Sequence, residues 1–305
     1  MTERDHSLKH AVEAYLRRCE LEGKSPNTVV AYRETLLQFL GVAEAEGFGG
    51  DVRKVTPEHI DSYLAWVMAR GVCDETRHRR FREARFLFVW LERTGLIKHN
   101  PFQHLRNIKM PQKIVQPIRA EDIQRLLDAP YPNPIVATRN RAIILLLLDT
   151  GIRLNELISL KVEDLDIAEH RLRILNGKMK KQRVVGVGDT ALEALTHYLG
   201  VRGDEPGQLF LSSKGRAIRP NSIRVMLRRL AERAGVPHVY PHKFRHTFAT
   251  WALESEAREL DVQLLLGHSS SAMVRRYSST YNAEKAARAH ARWSPADQLG
   301  GGASK

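Results

Sequence analysis

The strongest constraint on the fold is an unbroken apolar run in the middle of the chain. Apolar side chains occupy every position from Ala142 to Leu148. A helix that is apolar around its whole circumference must be buried on most sides. The following Thr150-Gly151 pair is typical of a helix C-terminus, because glycine readily adopts the left-handed conformation found there. We therefore expect a buried helix over residues 139–150, closed by Gly151.

Composition narrows the class of protein. The chain has 305 residues, enough for two domains, and a net charge of +13 that favours a polyanionic partner. A ribosomal or membrane-surface protein could carry the same excess. Cys19 and Cys73 have neither metal-ligand nor disulfide spacing, and the polar start of the chain is unlike a signal peptide. The apolar run is far shorter than the ~18 residues of a membrane span. We expect a soluble cytoplasmic protein that associates with the nucleoid and not with a membrane.

The first hundred residues predict a helical domain, residues 1–107. Ser25-Pro26-Asn27-Thr28 and Thr56-Pro57-Glu58 each place a capping side chain before a proline, a helix start. The first of these helices is expected to end at Gly41 and the second at Gly71. A third helix is expected over residues 74–93.

The first half of that third helix is rich in arginine. Its basic side chains are either a solvated face or contacts to a nucleic-acid backbone. Beside the phosphate chemistry described below, DNA contact is the stronger interpretation. The candidate DNA contacts here are Arg77, Arg79, Arg80 and Arg82.

Residues 108–118 carry prolines and lysines and predict an interdomain linker, followed by a second domain over residues 119–281. Helical periodicity prevails there, but 171–175 and 183–187 alternate or are β-branched, which predicts two strands. The turn between them carries Lys178, Lys180 and Lys181. A lysine at a hairpin tip could act as a general acid, and no spacing argument selects among the three. Residues 282–305 predict a tail helix and a disordered end.

Arg153 lies between the buried helix and the next helical segment. An arginine so near the core needs a partner, and Glu156, three residues later, is one candidate. The alternative to a functional arginine is a simple structural pair between these two residues.

A second constellation lies between residues 241 and 277. His242 and Arg245 are three apart and share one helical face, so they can converge on one ligand. The planar guanidinium suits a phosphate, because it can donate to two oxygens at once. His268 follows, and Tyr277 lies nine residues later. A phenol surrounded by cations is a possible nucleophile, which suggests covalent attack on a phosphodiester.

These stretches resemble the tyrosine recombinase (phage integrase) family, with a size and layout similar to its Xer-type enzymes. The similarity is carried by Thr150–Leu157, Gly177–Lys180, His242–His246, Leu266–Ser269 and Tyr277, in this order. Met179 stands where the family often has glycine, and Phe244 where leucine is common. Tyr281 falls at the wrong distance from His268 to be the nucleophile. Each motif alone is weak, whereas five in order make a specific signal.

The resemblance implies a mainly α fold with a small antiparallel β-sheet (α+β). It implies a helical, SAM-like core-binding domain and a catalytic domain that form a C-shaped clamp on DNA. It also implies a site-specific recombinase that works through a 3′-phosphotyrosine, with no metal, ATP or other cofactor. Its catalytic residues would be Arg153, Lys178, His242, Arg245, His268 and Tyr277, with Glu156 in support and Lys180 and Lys181 near DNA.

The implied partners are a double-stranded DNA recombination site and other protomers. The protomers would form a dimer on one site and a tetramer in synapsis, with copies of this chain or a related recombinase. Two alternatives share parts of this signature. A type IB topoisomerase would relax DNA with the same chemistry, and a non-catalytic relative would only occupy recombination sites.

Overall fold

The computed structural model describes residues 6–105, 115–131, 133–175, 182–203, 205–237 and 239–267. The chain divides into two compact units, Met1–Lys113 and Ile114–Lys305. Both units are mostly helical, and the second also contains a small antiparallel sheet. The predicted α+β fold class is therefore confirmed.

The first unit is built from helices α1 (Leu8–Leu21), α2 (Pro26–Ala45), α3 (Pro57–Ala69) and α4 (Asp74–Arg93). The predicted starts of α2, α3 and α4 are confirmed. The Ser25 hydroxyl accepts a hydrogen bond from the Thr28 amide at 3.2 Å, which caps α2. Helix α2 does not end at Gly41 as expected. Val42 and Ala43 are buried, and this packing outweighs the cost of about 1 kcal/mol for a glycine within a helix.

Aromatic side chains fill the core of the first unit. Phe39 packs edge-on against Tyr63 and Phe88, with ring centroids 4.9 and 5.6 Å apart. The same core holds a polar contact, because the Thr35 hydroxyl donates to the Glu83 carboxylate at 2.5 Å. This contact joins α2 to α4 with both groups buried.

The second unit contains α5 (Ala120–Asp128), α6 (Pro134–Thr150), α7 (Leu154–Ser159), α8 (Asp189–Arg202), α9 (Pro220–Ala234), α10 (Pro241–Glu254) and α11 (Glu259–Leu266). The predicted buried helix is α6, and its residues 142–147 are all less than 9% exposed. It begins at Pro134, five residues before the expected start at residue 139. The Asn133 side chain caps the helix by accepting a hydrogen bond from the Val136 amide at 3.1 Å. A proline is well suited to the first helical position.

In the described part of the second unit, three strands form an antiparallel sheet in the order β1 (Leu165–Asp166), β2 (Arg171–Leu175) and β3 (Gln182–Gly186). The sequence predicted β2 and β3 and missed the two-residue β1. Leu172, Ile174 and Val185 face the core and are at most 1% exposed. The hairpin register pairs Ile174 with Arg183, so the Arg183 side chain lies on the inward face.

Within the described ranges, every helix is too short or too polar to cross a membrane.

Gly151 is the residue that ends α6, and two constraints exclude a side chain there. Its φ is +59°, in the left-handed region that favours glycine. A Cβ at this position would lie 2.6 Å from the Phe248 ring and 2.8 Å from the Leu266 side chain. The end of α6 therefore contacts α10 and α11 closely.

We expect Gly151→Ala to destabilise the second unit more than Gly235→Ala, a matched control. Gly235 ends α9 with φ +62°, and an added Cβ would meet only Arg125, at 3.9 Å. The control should lose about 1–2 kcal/mol of unfolding free energy, from the left-handed backbone alone. Gly151→Ala should lose about 1–3 kcal/mol more because of overpacking. Urea denaturation of both variants measures the difference. Equal losses would contradict the close approach.

Candidate active site

The first arginine motif, Thr150–Leu157, contains the start of helix α7. Arg153 precedes α7, and its backbone amide donates to the Glu156 carboxylate at 2.7 Å. A carboxylate in the first turn stabilises a helix by satisfying free amides and by interacting with the helix dipole. The Arg153 side chain is 39% exposed and lies at the edge of the protein, where it pairs with the buried Glu156.

Glu156 is buried between two arginines. Its carboxylate, 5% exposed, accepts from Arg153 Nη1 at 3.1 Å and from both terminal nitrogens of Arg183 at 2.9 Å. Burial alone would raise the pKa of this carboxyl. The hydrogen bonds and positive charges of Arg183 and Arg153 outweigh burial and lower the pKa to about 2. The group is therefore ionised throughout the neutral range.

Arg245 is anchored from the opposite side, on α10. Its guanidinium is enclosed, with 1% exposure of the residue. Nη1 donates to the Gly151 carbonyl at 2.9 Å, and Nη2 donates to the Leu266 carbonyl at 2.7 Å. Arg245 is therefore hydrogen-bonded to Gly151, which lies two residues before Arg153.

His242 lies in the first turn of α10 and keeps an exposed edge. Partial burial lowers the pKa of its imidazole below the ordinary value, and the charges of Arg245, His246 and Arg153 lower it further. This shift favours the neutral form of the ring, which can accept a proton. His246 has a structural position instead, because its ring contacts the Val115 carbonyl and the Thr250 hydroxyl.

Three consecutive carbonyls at the C-terminal end of α11 each accept from a different arginine. The Leu265 carbonyl accepts from Arg183 Nε at 2.7 Å, and the Leu266 carbonyl from Arg245 at 2.7 Å. Arg153 Nη2 approaches the Gly267 carbonyl at 3.4 Å. The last carbonyls of a helix lack internal partners and carry a partial negative charge, which favours cations. Motifs more than a hundred residues apart therefore converge immediately before His268.

The structure brings together four of the predicted site residues: Arg153, Glu156, His242 and Arg245. Six further predictions lie outside the described residues, namely Lys178, Lys180, Lys181, His268, Tyr277 and the tail 282–305. The described chain reaches Leu175 and Gln182 on either side of the lysine turn, and Gly267 directly before His268.

The arginines of α4 differ in their surroundings. Arg77 pairs with Asp74, and Arg79 lies 3.4 Å from Glu83 and 3.7 Å from Glu34. Arg82 is exposed. Arg80 is 8% exposed and its charge acts on the buried Tyr63, so its side chain lies inside the first unit. The prediction of DNA contact remains for Arg77, Arg79 and Arg82 and is not supported by the position of Arg80.

Sequence reasoning missed Arg183, which was assigned only to a strand. The alternation of β3 could have identified Arg183. Arg183 and Val185 are two residues apart on a strand, so both side chains lie on the inward face. A charged residue at an inward strand position requires a partner. Glu156, the buried carboxylate of the first motif, is that partner.

We expect the Glu156 carboxylate to contribute on the order of 3 kcal/mol to stability at pH 7, from its pKa shift. Its folded pKa lies below its ordinary value of 4.5, so the contribution is complete above pH 4.5 and falls towards pH 2. Glu156→Gln should therefore be strongly destabilising at pH 7 and less so at pH 4. Urea denaturation at both values measures this.

Glu169→Gln is the control, because Glu169 forms an exposed pair with Arg171 at 3.6 Å and should contribute less than about 1 kcal/mol. A loss for Glu156→Gln that is the same at pH 7 and pH 4 would contradict the ion-pair account.

Comparison with known sequences agrees with this arrangement. The sequence model of the phage integrase family matches residues 116–284, and that of its N-terminal SAM-like domain matches residues 12–95. Tyrosine recombinase XerC of Xanthomonas campestris pv. campestris (strain B100) is 34% identical over 271 residues, covering 88% of this chain and 83% of that protein. Tyrosine recombinase XerC of Pseudomonas aeruginosa (strain PAO1) is 30% identical and covers 89% and 90%.

Solved structures share the fold. The Tn1549 transposon integrase in complex with transposon right end DNA has a TM-score of 0.76 and 18% identity, covering 92% of this chain and 98% of that chain. A lambda integrase dimer bound to a COC′ core site has a TM-score of 0.74 and 17% identity, covering 91% and 78%.

These relatives favour neither a topoisomerase nor a non-catalytic regulator. The chain belongs to the phage integrase family and is a site-specific tyrosine recombinase.

Proposed function

We propose that this recombinase cleaves and rejoins double-stranded DNA through a 3′-phosphotyrosine formed at Tyr277. The observation that carries the proposal is the convergence of the motifs. Arg153, Arg245 and the backbone that leads into His268 are joined by hydrogen bonds through Glu156, Gly151 and the carbonyls at the end of α11.

The scissile phosphate would bind to the two arginines. Arg153 makes one side-chain contact to Glu156 and remains 39% exposed, so its planar group can donate to a phosphate oxygen. Arg245 is oriented by two carbonyls and is enclosed, so neighbouring groups must move before DNA reaches it. Two fixed guanidinium groups would stabilise the extra negative charge that develops on the phosphate during attack.

The proposed cleavage involves two proton transfers, one from Tyr277 and one to the departing 5′ oxygen. The Tyr277 oxygen forms a bond to phosphorus, and its proton passes to His242, whose lowered pKa favours the neutral form that can accept it. The bond from phosphorus to the 5′ oxygen breaks, and Lys178 supplies a proton to that oxygen. His268 donates a hydrogen bond to the phosphate. The products are a 3′-phosphotyrosine and a free 5′ hydroxyl, and a second 5′ hydroxyl reverses the step.

We assign the first unit as the core-binding domain and the second as the catalytic domain. The proposed boundaries are 1–107, a linker 108–118 and 119–281, with a tail at 282–305. Both would bind double-stranded DNA, in keeping with the +13 net charge and with relatives whose structures contain DNA. A protein that acts on chromosomal DNA would work in the cytoplasm at the nucleoid.

Strand exchange requires several active sites, so we propose a dimer on one recombination site and a tetramer when two sites are joined. The lambda integrase relative is a dimer on its core site. The tail 282–305 would dock on a neighbouring protomer, and packing on its own domain is the alternative. Sedimentation of complexes on DNA with one site and with two sites measures both stoichiometries.

Tyr277→Phe should bind DNA with unchanged affinity and form no covalent adduct, because it lacks the attacking oxygen. Tyr281→Phe is the matched control, four residues along the chain, and should form adduct as the unaltered protein does. A nicked suicide substrate traps the adduct for denaturing electrophoresis. Adduct formation by Tyr277→Phe would refute the assignment.

Changing Arg77, Arg79 and Arg82 of α4 together to glutamine should weaken DNA binding. The logarithm of affinity falls with the logarithm of salt by about 0.9 per phosphate contact, so the slope should flatten by up to about 3. The control changes the exposed Arg17 and Arg18 of α1 and should leave the slope unaltered. If the triple variant and the control both keep the salt dependence of the unaltered protein, α4 does not contact phosphates.

A further inference from the structure

Arg183 occupies a position from which it contacts two parts of the active site, Glu156 and the end of α11. It lies in β3, two residues along the chain from Lys181, the last of the candidate lysines. Its side chain is 12% exposed, so it is not available to DNA. This residue belongs to none of the motifs that identified the site.

All three nitrogens of the Arg183 guanidinium are used. Nη1 and Nη2 donate to the two oxygens of Glu156 at 2.9 Å each, which is a bidentate pair. Nε donates to the Leu265 carbonyl at 2.7 Å. A Cβ on Gly267 would lie 3.1–3.3 Å from the same side chain, so the backbone just before His268 rests directly on Arg183.

The Glu156 carboxylate makes more hydrogen bonds to the side chain of Arg183 than to that of Arg153. Arg183 contacts both carboxylate oxygens at 2.9 Å, while the Arg153 side chain makes one contact at 3.1 Å. Without Arg183, the carboxylate would have one guanidinium partner left, and Arg153 could turn to form the bidentate pair itself. An arginine held in that way has fewer donors for a phosphate.

We propose that Arg183 is a positioning residue for cleavage. It keeps Glu156 occupied so that Arg153 remains available to the scissile phosphate. The inference rests on the proposed function, since it requires Arg153 to contact the phosphate. A lysine could not replace this residue, because an ammonium group cannot donate to both oxygens and the Leu265 carbonyl in the same planar geometry.

Arg183→Gln tests the proposal in the full-length protein, with Arg173→Gln as the matched control. Arg173 lies on the outward face of β2 and donates to the Glu163 carbonyl at 2.8 Å. Single-turnover cleavage of a suicide substrate should fall about 10–100-fold in Arg183→Gln, as for groups that orient a ligating side chain. DNA affinity should stay within about threefold, and the control should cleave normally. A cleavage rate near that of the control would overturn the proposal.

A double-mutant cycle separates positioning from general structural support. In an Arg153→Ala background, Arg183→Gln should cost less than about threefold in cleavage rate, because its partner in the mechanism is absent. A full additional 10–100-fold loss would mean that Arg183 does not act through Arg153. If Arg153→Ala itself cleaves normally, the proposed role of Arg153 is wrong, which is a different failure.

Arg183→Lys decides the question if Arg183→Gln does not fold, as judged by its melting temperature. This variant keeps the charge and loses the bidentate pair. We expect it to fold and to cleave at least about fivefold more slowly than the unaltered protein. Cleavage at the unaltered rate would overturn the proposal.

Discussion

The buried Glu156 carboxylate is the group on which the candidate active site depends. Burying a charge is costly unless it is paired and hydrogen-bonded, and here Arg153 and Arg183 supply both. Arg153 directly precedes α7 and Arg183 lies in β3, so satisfying one carboxylate fixes a helix start relative to a sheet. The same contact lowers the pKa of Glu156 to about 2 and keeps the carboxylate charged at neutral pH.

The end of α11 is coupled to that carboxylate through the arginines. Three successive carbonyls at this helix end accept hydrogen bonds from three guanidinium groups. Arg245 extends the connection to Gly151, where the absence of a side chain allows α6, α10 and α11 to meet. Arg245 is therefore held by backbone groups, which cannot rotate away as side chains can. Such fixed orientation is what electrostatic stabilisation of a transition state requires.

Local signals in the sequence predicted much of this protein, and non-local contacts account for what they missed. Capping residues marked the starts of α2 and α3, and the apolar run marked α6, because these signals act within a few residues. The end of α2 and the burial of Arg80 depend on packing between helices, which periodicity does not report. Arg153 and Glu156 were identified as partners from their spacing. Arg183 was not, because 27 residues separate it from Glu156 and only the inward register of β3 brings them together.

The most direct test of the account identifies the residue that becomes attached to DNA. Adduct trapped on a suicide substrate is digested with nuclease and trypsin, and the modified peptide is fragmented by mass spectrometry. Cleavage after Arg276 releases residues 277–285, which contain both Tyr277 and Tyr281, so fragmentation within this peptide distinguishes them. The account predicts a 3′-linked nucleotide on Tyr277. A nucleotide on Tyr281 or on any other residue would contradict it.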